Sequence, residues 1–126
     1  MIHAREDHGC TLVQSNVKTE AQVIVVGGVG SDSRLNTVES LQRNSNKWMS
    51  KEPIPLESLL WHAVTHANSP EYLLYSIGGC IDTFHCTKTI YGLTNYNTWK
   101  VVANLKFERV HHTSLNVQSK DIPGCA

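Results

Sequence analysis

Two parts of this chain repeat one another at a spacing of 51 residues, and this repeat restricts the fold more than any other feature. In each copy a pair of glycines ends a short apolar run, and a tryptophan follows the second glycine by 20 residues. The recurring residues are Gly27, Gly28 and Trp48 in the first copy and Gly78, Gly79 and Trp99 in the second. A spacing kept over several landmarks indicates that one supersecondary unit is built twice.

The residues between these landmarks predict strands that are joined by turns, with no convincing helix. Residues 23–26 form a continuous apolar run, which is typical of a central strand covered on both faces. Residues 37–41 alternate between apolar and polar side chains, which predicts a half-buried strand. Turn-forming residues at 16–19 and 44–46 separate the strands, and residues 72–77 begin the same order again.

A histidine marks the start of each unit. Arg5 precedes His8 by the same spacing with which Arg109 precedes His112, and His62 keeps the position without an arginine. We therefore divide the chain into four parts. They are the tail of a preceding unit at 1–7, repeat 1 at 8–55, repeat 2 at 59–107, and the first strand of a truncated third unit with its tail at 109–126.

Charge and hydropathy exclude several function classes. Lysine and arginine together number 11 and so do aspartate and glutamate, so bulk electrostatics predict neither nucleic acid nor an anionic membrane as a partner. The apolar stretches are too short to cross a bilayer, and residues 1–7 lack the apolar core of a secretory signal. We therefore expect a soluble, cytoplasmic protein, with a secreted or extracellular setting as the alternative if the chain is a fragment of a longer one.

A unit with four short strands, a glycine pair after the second strand and a tryptophan at the fourth resembles the kelch repeat. Kelch repeats fold as blades of a β-propeller, each a twisted four-stranded sheet. The resemblance implies an all-β fold with two four-stranded kelch-type blades plus partial flanking strands, which together form an incomplete β-propeller. It covers nearly the whole chain.

The resemblance also gives the repeated residues structural roles. The glycine pairs would allow close approach between blades, and Trp48 and Trp99 would fill the wedge between them. His8, His62 and His112 would each hydrogen-bond a loop backbone from a neutral ring. The chain departs from the family because the third strands lack the usual tyrosine–aspartate pair, and because about two and a half units replace the usual four to eight blades.

Few residues suggest chemistry. The segment around Gly27 and Gly28 lacks the lysine of a phosphate-binding loop, and His111 and His112 have no nucleophile at a recognisable spacing. We therefore predict no catalytic residue, no metal ligand and no cofactor. Cys80 and Cys86 flank a short loop that a disulfide could close, while the absence of a signal sequence favours reduced thiols. These thiols with His62, His66 and His85 do not match a zinc-ligand spacing.

The resemblance implies a non-catalytic module for protein–protein interaction, with partners such as actin or the substrates of cullin-type ubiquitin ligases. We expect contact through inter-strand loops at 29–36 and 80–88, since loops on a rigid scaffold usually carry recognition. The candidate contact residues are Arg34, Trp61, Asp82 and Phe84. Trp61 lies outside the repeat pattern, so burial is its alternative role.

Two other hypotheses remain open. In the first, the chain is a fragment of a longer secreted kelch propeller, such as one that oxidises carbohydrates around a copper site. In the second, several copies of the chain form a homo-oligomer that completes the ring between chains.

Overall fold

A computed structural model describes residues 1–14 and 21–116 of the chain. These residues form eight strands and no helix, in agreement with the all-β prediction. The strands are β1 (Gly9–Val13), β2 (Gln22–Val26), β3 (Val38–Gln42), β4 (Trp48–Lys51), β5 (Ala63–His66), β6 (Tyr72–Ile77), β7 (Thr89–Thr94) and β8 (Trp99–Asn104). The predicted turn at 16–19 and the last part of the predicted third unit, residues 117–126, lie outside the described residues.

The eight strands make two antiparallel sheets in sequence order. Sheet 1 has the order β1-β2-β3-β4, sheet 2 has the order β5-β6-β7-β8, and neither closes on itself. Residues 109–116 lie beside sheet 2 without forming a strand. In the described part of the chain, no helix is present that could span a membrane.

Each sheet has two faces, which we name by the tryptophan of its fourth strand. The front face carries the tryptophan and the back face is the opposite one. A row of paired residues crosses the front face of each sheet. It comprises Leu12, Val23, Leu41 and Trp48 in sheet 1, and His66, Leu74, Leu93 and Trp99 in sheet 2. The two rows occupy equivalent positions in the two units.

The core lies between the back face of sheet 1 and the front face of sheet 2. Its fully buried members include Ile24, Val26 and Val38 of sheet 1 and Leu74 and Leu93 of sheet 2. Each such side chain contributes roughly 1.5–3 kcal/mol by leaving water. Apolar side chains therefore recur at every second position of these strands, because that face of the sheet packs against the neighbouring sheet.

Trp99 packs against this core, and its indole Nε1–H donates a hydrogen bond of 2.9 Å to the carbonyl oxygen of Glu52 in the segment after β4. Its large apolar surface therefore joins sheet 2 to the segment that leaves sheet 1.

Two predicted burial patterns need correction. Residues 37–41 were expected to be half-buried, but Val38, Glu39 and Ser40 are all buried, because residues 1–5 cover the front face at Glu39. The run at 23–26 was expected to be covered on both faces, yet Val23 is 37 % exposed on the front face of sheet 1. Both differences arise because residues 1–5 cover the front face of sheet 1 at Glu39 and leave it open at Val23.

The glycine pairs are the points at which the backbone of one unit comes closest to that of the next. Gly27 and Gly78 have φ angles of +63° and +61°, in the left-handed region that favours glycine. A Cβ on Gly27 would overlap the carbonyl oxygen of Leu59, and one on Gly78 would lie 2.8 Å from the carbonyl oxygen of Arg109. Both the backbone conformation and the close approach therefore require glycine at these positions.

We predict that Gly27→Ala lowers the free energy of unfolding by about 2–4 kcal/mol, since it adds left-handed backbone strain to a steric overlap. Gly30→Ala is the matched control, because a Cβ there would have no neighbour closer than 3.5 Å and its φ lies outside the positive range. Urea unfolding followed by circular dichroism measures both. Equal stability of the two variants would contradict the proposed role of Gly27.

Candidate functional site

The candidate site is a pair of equivalent loops that follow the glycine pairs. In unit 1 the bridge partners Val29 and Arg34 close the loop, and in unit 2 the equivalent partners are Cys80 and Cys86. The structure joins these two cysteines by a disulfide, so this pair does not carry the reduced thiols that we expected by default. The loops predicted at 29–36 and 80–88 are thus built on one backbone plan, and only the second has a covalent closure.

Inside the closed loop, Asp82 fixes the backbone of the next residues. Its Oδ1 accepts hydrogen bonds from the backbone amides of Phe84 at 2.7 Å and His85 at 2.8 Å. The amide of Phe84 and the ring of His85 are the main reasons why the pKa of Asp82 falls to about 2. Asp82 is therefore ionised near neutral pH and serves as an internal turn anchor.

Phe84 lies at the tip of this loop, where its side chain is 89 % exposed. The loop is linked to its unit 1 counterpart, because Nη2 of Arg34 lies 3.4 Å from Oγ1 of Thr83. The structure thus brings Arg34, Asp82 and Phe84 into one surface. An exposed aromatic side chain on an anchored loop is typical of a contact residue, because little entropy is lost when it binds.

Trp61 has a different environment. Its backbone has a φ of +57°, and its ring lies 5.0 Å from the ring of His111 and is partly buried. Asp7 and His111 occupy the equivalent positions directly before His8 and His112, and their φ angles are +53° and +52°. The amide of Trp61 donates to the carbonyl of Asp7, and the amide of His111 donates to that of Trp61. Trp61 therefore belongs to a backbone turn that recurs in every unit.

A groove of about 850 Å³ borders the disulfide-closed loop. It runs between that loop and the segment that connects β4 to β5. Apolar side chains and carboxylates line it together, among them Ile54, Leu56, Ile81, Glu52, Glu57 and Asp82. A volume in this range is typical of clefts that hold a ligand or part of a partner. No sequence pattern indicated this groove, because its two sides come from different units.

His62 holds the two units together from inside. It is buried, and its ring and Cβ would meet a Cβ on Gly27 at 3.2 Å and one on Gly79 at 2.6 Å. His62 thus contacts the glycine pair of the preceding unit and that of its own unit. His112 contacts Gly78 as His62 contacts Gly27. His8 contacts Gly28 as His62 contacts Gly79.

Burial, together with the neighbouring His8 and His112, lowers the pKa of His62 to about 3. The nearby carbonyl of Val26 opposes this shift, but neither ring nitrogen of His62 reaches a hydrogen-bond partner among the described residues. The role of His62 is packing in a neutral state.

We predict that the protein loses stability as the pH falls below the ordinary pKa of histidine. The unfolded chain binds a proton at His62 near pH 6.5, whereas the folded chain resists protonation until about pH 3. The free energy of unfolding should therefore drop by about 1.4 kcal/mol per pH unit across that interval. Burial likewise lowers the pKa values of His8 and His112, so they act in the same direction.

Urea unfolding at a series of pH values measures this slope. The variant His62→Gln should reduce the slope, because glutamine does not titrate, while His8 and His112 keep their own contributions. The same slope in wild type and His62→Gln would rule out the proposed role of the neutral ring.

A feature that the sequence analysis missed is an ion pair beneath the N-terminal segment. The guanidinium of Arg5 binds the buried carboxylate of Glu39 and donates to the carbonyls of Gly27 and Thr37 at 2.9 and 3.0 Å. Burial alone would raise the pKa of Glu39, but the amides of Ile2 and His3, with Arg5, outweigh it and lower the pKa. The segment at 1–5 is thus fastened to the front face of sheet 1.

Comparison with known proteins adds no assignment. No protein-family model matches this chain, and no curated protein is significantly similar to it. Within residues 1–14 and 21–116, no group of three or more histidine, cysteine, aspartate or glutamate residues could hold a metal ion. The sulfurs of Cys80 and Cys86 are bonded to each other, so they are not thiolate ligands here.

Proposed function

We propose that this protein is a kelch-type module for protein–protein interaction that binds a partner through the loops at 29–36 and 80–88. The observation that carries the proposal is Phe84, which a disulfide, the Asp82 turn and the Arg34–Thr83 contact together hold on an exposed loop. The sequence repeat supports the family, and the two stacked four-stranded sheets agree with blades of an incomplete propeller.

The lining of the groove beside this loop indicates which kind of partner segment would bind there. The groove beside Phe84 has an apolar lining from Ile54 and Leu56, and Glu52 and Glu57 add negative charge. A partner segment that carries an aromatic or aliphatic anchor next to basic side chains would match both properties. The module in this proposal binds and does not catalyse.

The disulfide supports the secreted or extracellular alternative over the cytoplasm as the place where the module acts. Cytosolic thiol systems keep most such cysteine pairs reduced, whereas oxidising compartments preserve the bond. The loop that carries Phe84 would then be held closed in its working state. Labelling of Cys80 and Cys86 in unreduced protein purified from its natural source would speak against this setting.

We predict that Phe84→Ser removes partner binding and leaves the fold intact, since the side chain is 89 % exposed. The matched control is Tyr96→Ser, because Tyr96 is 90 % exposed on the turn between β7 and β8. Affinity purification with quantitative mass spectrometry would compare the two variants with wild type. A partner lost with Phe84→Ser and retained with Tyr96→Ser is the expected result. Identical partner sets for all three proteins would refute the proposal.

A further inference from the structure

Residues 109–116 lie where the repeat places the first strand of a third unit. The carbonyl of Arg109 accepts a hydrogen bond of 2.9 Å from the amide of Gly79. The ring of His112 contacts the first glycine of unit 2, as the ring of His62 contacts that of unit 1. The start of the third unit is therefore docked on sheet 2 by the contacts that dock the start of unit 2 on sheet 1.

The backbone of this segment is open at a position that both complete units pair. In unit 1, Glu6 and Val29 exchange two backbone hydrogen bonds of 2.9 and 2.8 Å. In unit 2, Leu60 and Cys80 exchange two of 3.0 and 2.9 Å. Val110 holds the equivalent position, and neither its amide nor its carbonyl has a backbone partner among the described residues. A backbone edge with unpaired groups is a template for another chain.

The back face of sheet 2 is also less covered than that of sheet 1. Val26 and Val38 on the back face of sheet 1 are 0 % and 1 % exposed, and Leu74 of sheet 2 packs in the same core cluster. Their equivalents in sheet 2, Ile77 and Ile90, are only partly buried. A second strand in the third unit would cover these side chains as β6 covers sheet 1.

The two complete units show what such a strand must carry. Both second strands are apolar runs that end in a glycine pair. A Cβ on the second glycine would lie 2.9 Å from the Cβ of His8 in unit 1, and 2.6 Å from that of His62 in unit 2. His112 holds this position in the third unit, so a side chain on the second glycine would meet the same obstacle there. The first glycine instead approaches the following unit, at Leu59 or Arg109.

We propose that residues 110–116 bind, by strand addition, a partner segment that is extended, apolar and ended by two glycines. The backbone at Val110 supplies the hydrogen bonds of the pairing, and the close approach at His112 selects the second glycine. This edge is separate from the loops at 29–36 and 80–88, so the binding does not depend on Phe84.

The probe is a fluorescent peptide with the sequence of residues 69–80 and serine in place of Cys80. Anisotropy with the full chain should give a dissociation constant of about 10–100 μM. The peptide variant Gly79→Ala should bind more than about a hundredfold more weakly, because its methyl group meets His112. The peptide variant Gly78→Ala should bind only about tenfold more weakly, because it adds backbone strain without a following unit to overlap.

Two substitutions at Val110, which is 39 % exposed, separate its amide from its side chain. Val110→Pro removes the donor and should raise the dissociation constant more than about twentyfold. Val110→Ala keeps the donor and should change it less than about threefold. Phe84→Ser should bind the peptide as wild type does, so this result is independent of the loop contact proposed above. Circular dichroism establishes that each variant folds.

Three results would overturn the proposal. They are equal affinities of the two glycine-variant peptides, equal affinities of the two Val110 variants, and no saturable binding of the probe at about 1 mM wild-type chain. The last result includes the case in which residues 117–126 of the chain occupy the edge themselves. These residues contain no glycine pair, so they lack the sequence that the edge selects.

Discussion

The structure depends on the close approach of backbone to backbone at the glycine pairs. Gly28 donates its amide to the carbonyl of Leu59 at 2.7 Å, and Gly79 donates to that of Arg109 at 2.9 Å. Each bond connects the second strand of one unit to the segment that begins the next. Because a buried amide needs a partner, this contact fixes where consecutive units sit. A side chain at the first glycine of either pair would force the two backbones apart.

The close backbone contact at the glycine pairs also determines where the two candidate contact loops lie. The loops that carry Arg34 and Phe84 leave the sheets directly after the glycine pairs, so their spacing is that of the units themselves. His62 fills the space between the pairs in a neutral state, which uses a titratable residue for packing. The repeated landmarks therefore build the scaffold, and the binding that we propose depends on the residues that differ between the two loops.

Much of the fold could be predicted from the sequence, because a period of 51 residues with strand-like patterns between the landmarks leaves few architectures. Three features could not. The Arg5–Glu39 pair joins residues 34 positions apart with no repeat to indicate it. The spacing of Cys80 and Cys86 permits both thiols and a disulfide. The exposure of Val23 depends on strand register, since a shift by one residue would move it to the other face of the sheet.

Native-state hydrogen exchange tests most directly whether the glycine contacts make the two sheets one cooperative unit. The amides of Gly28 and Trp61, which cross between units, should exchange through the same opening as those in the central strands β2 and β6. All four sets should then give one free energy of opening with one denaturant dependence. Separate opening free energies for sheet 1 and sheet 2, or rapid exchange at Gly28 while the strands stay protected, would contradict this account.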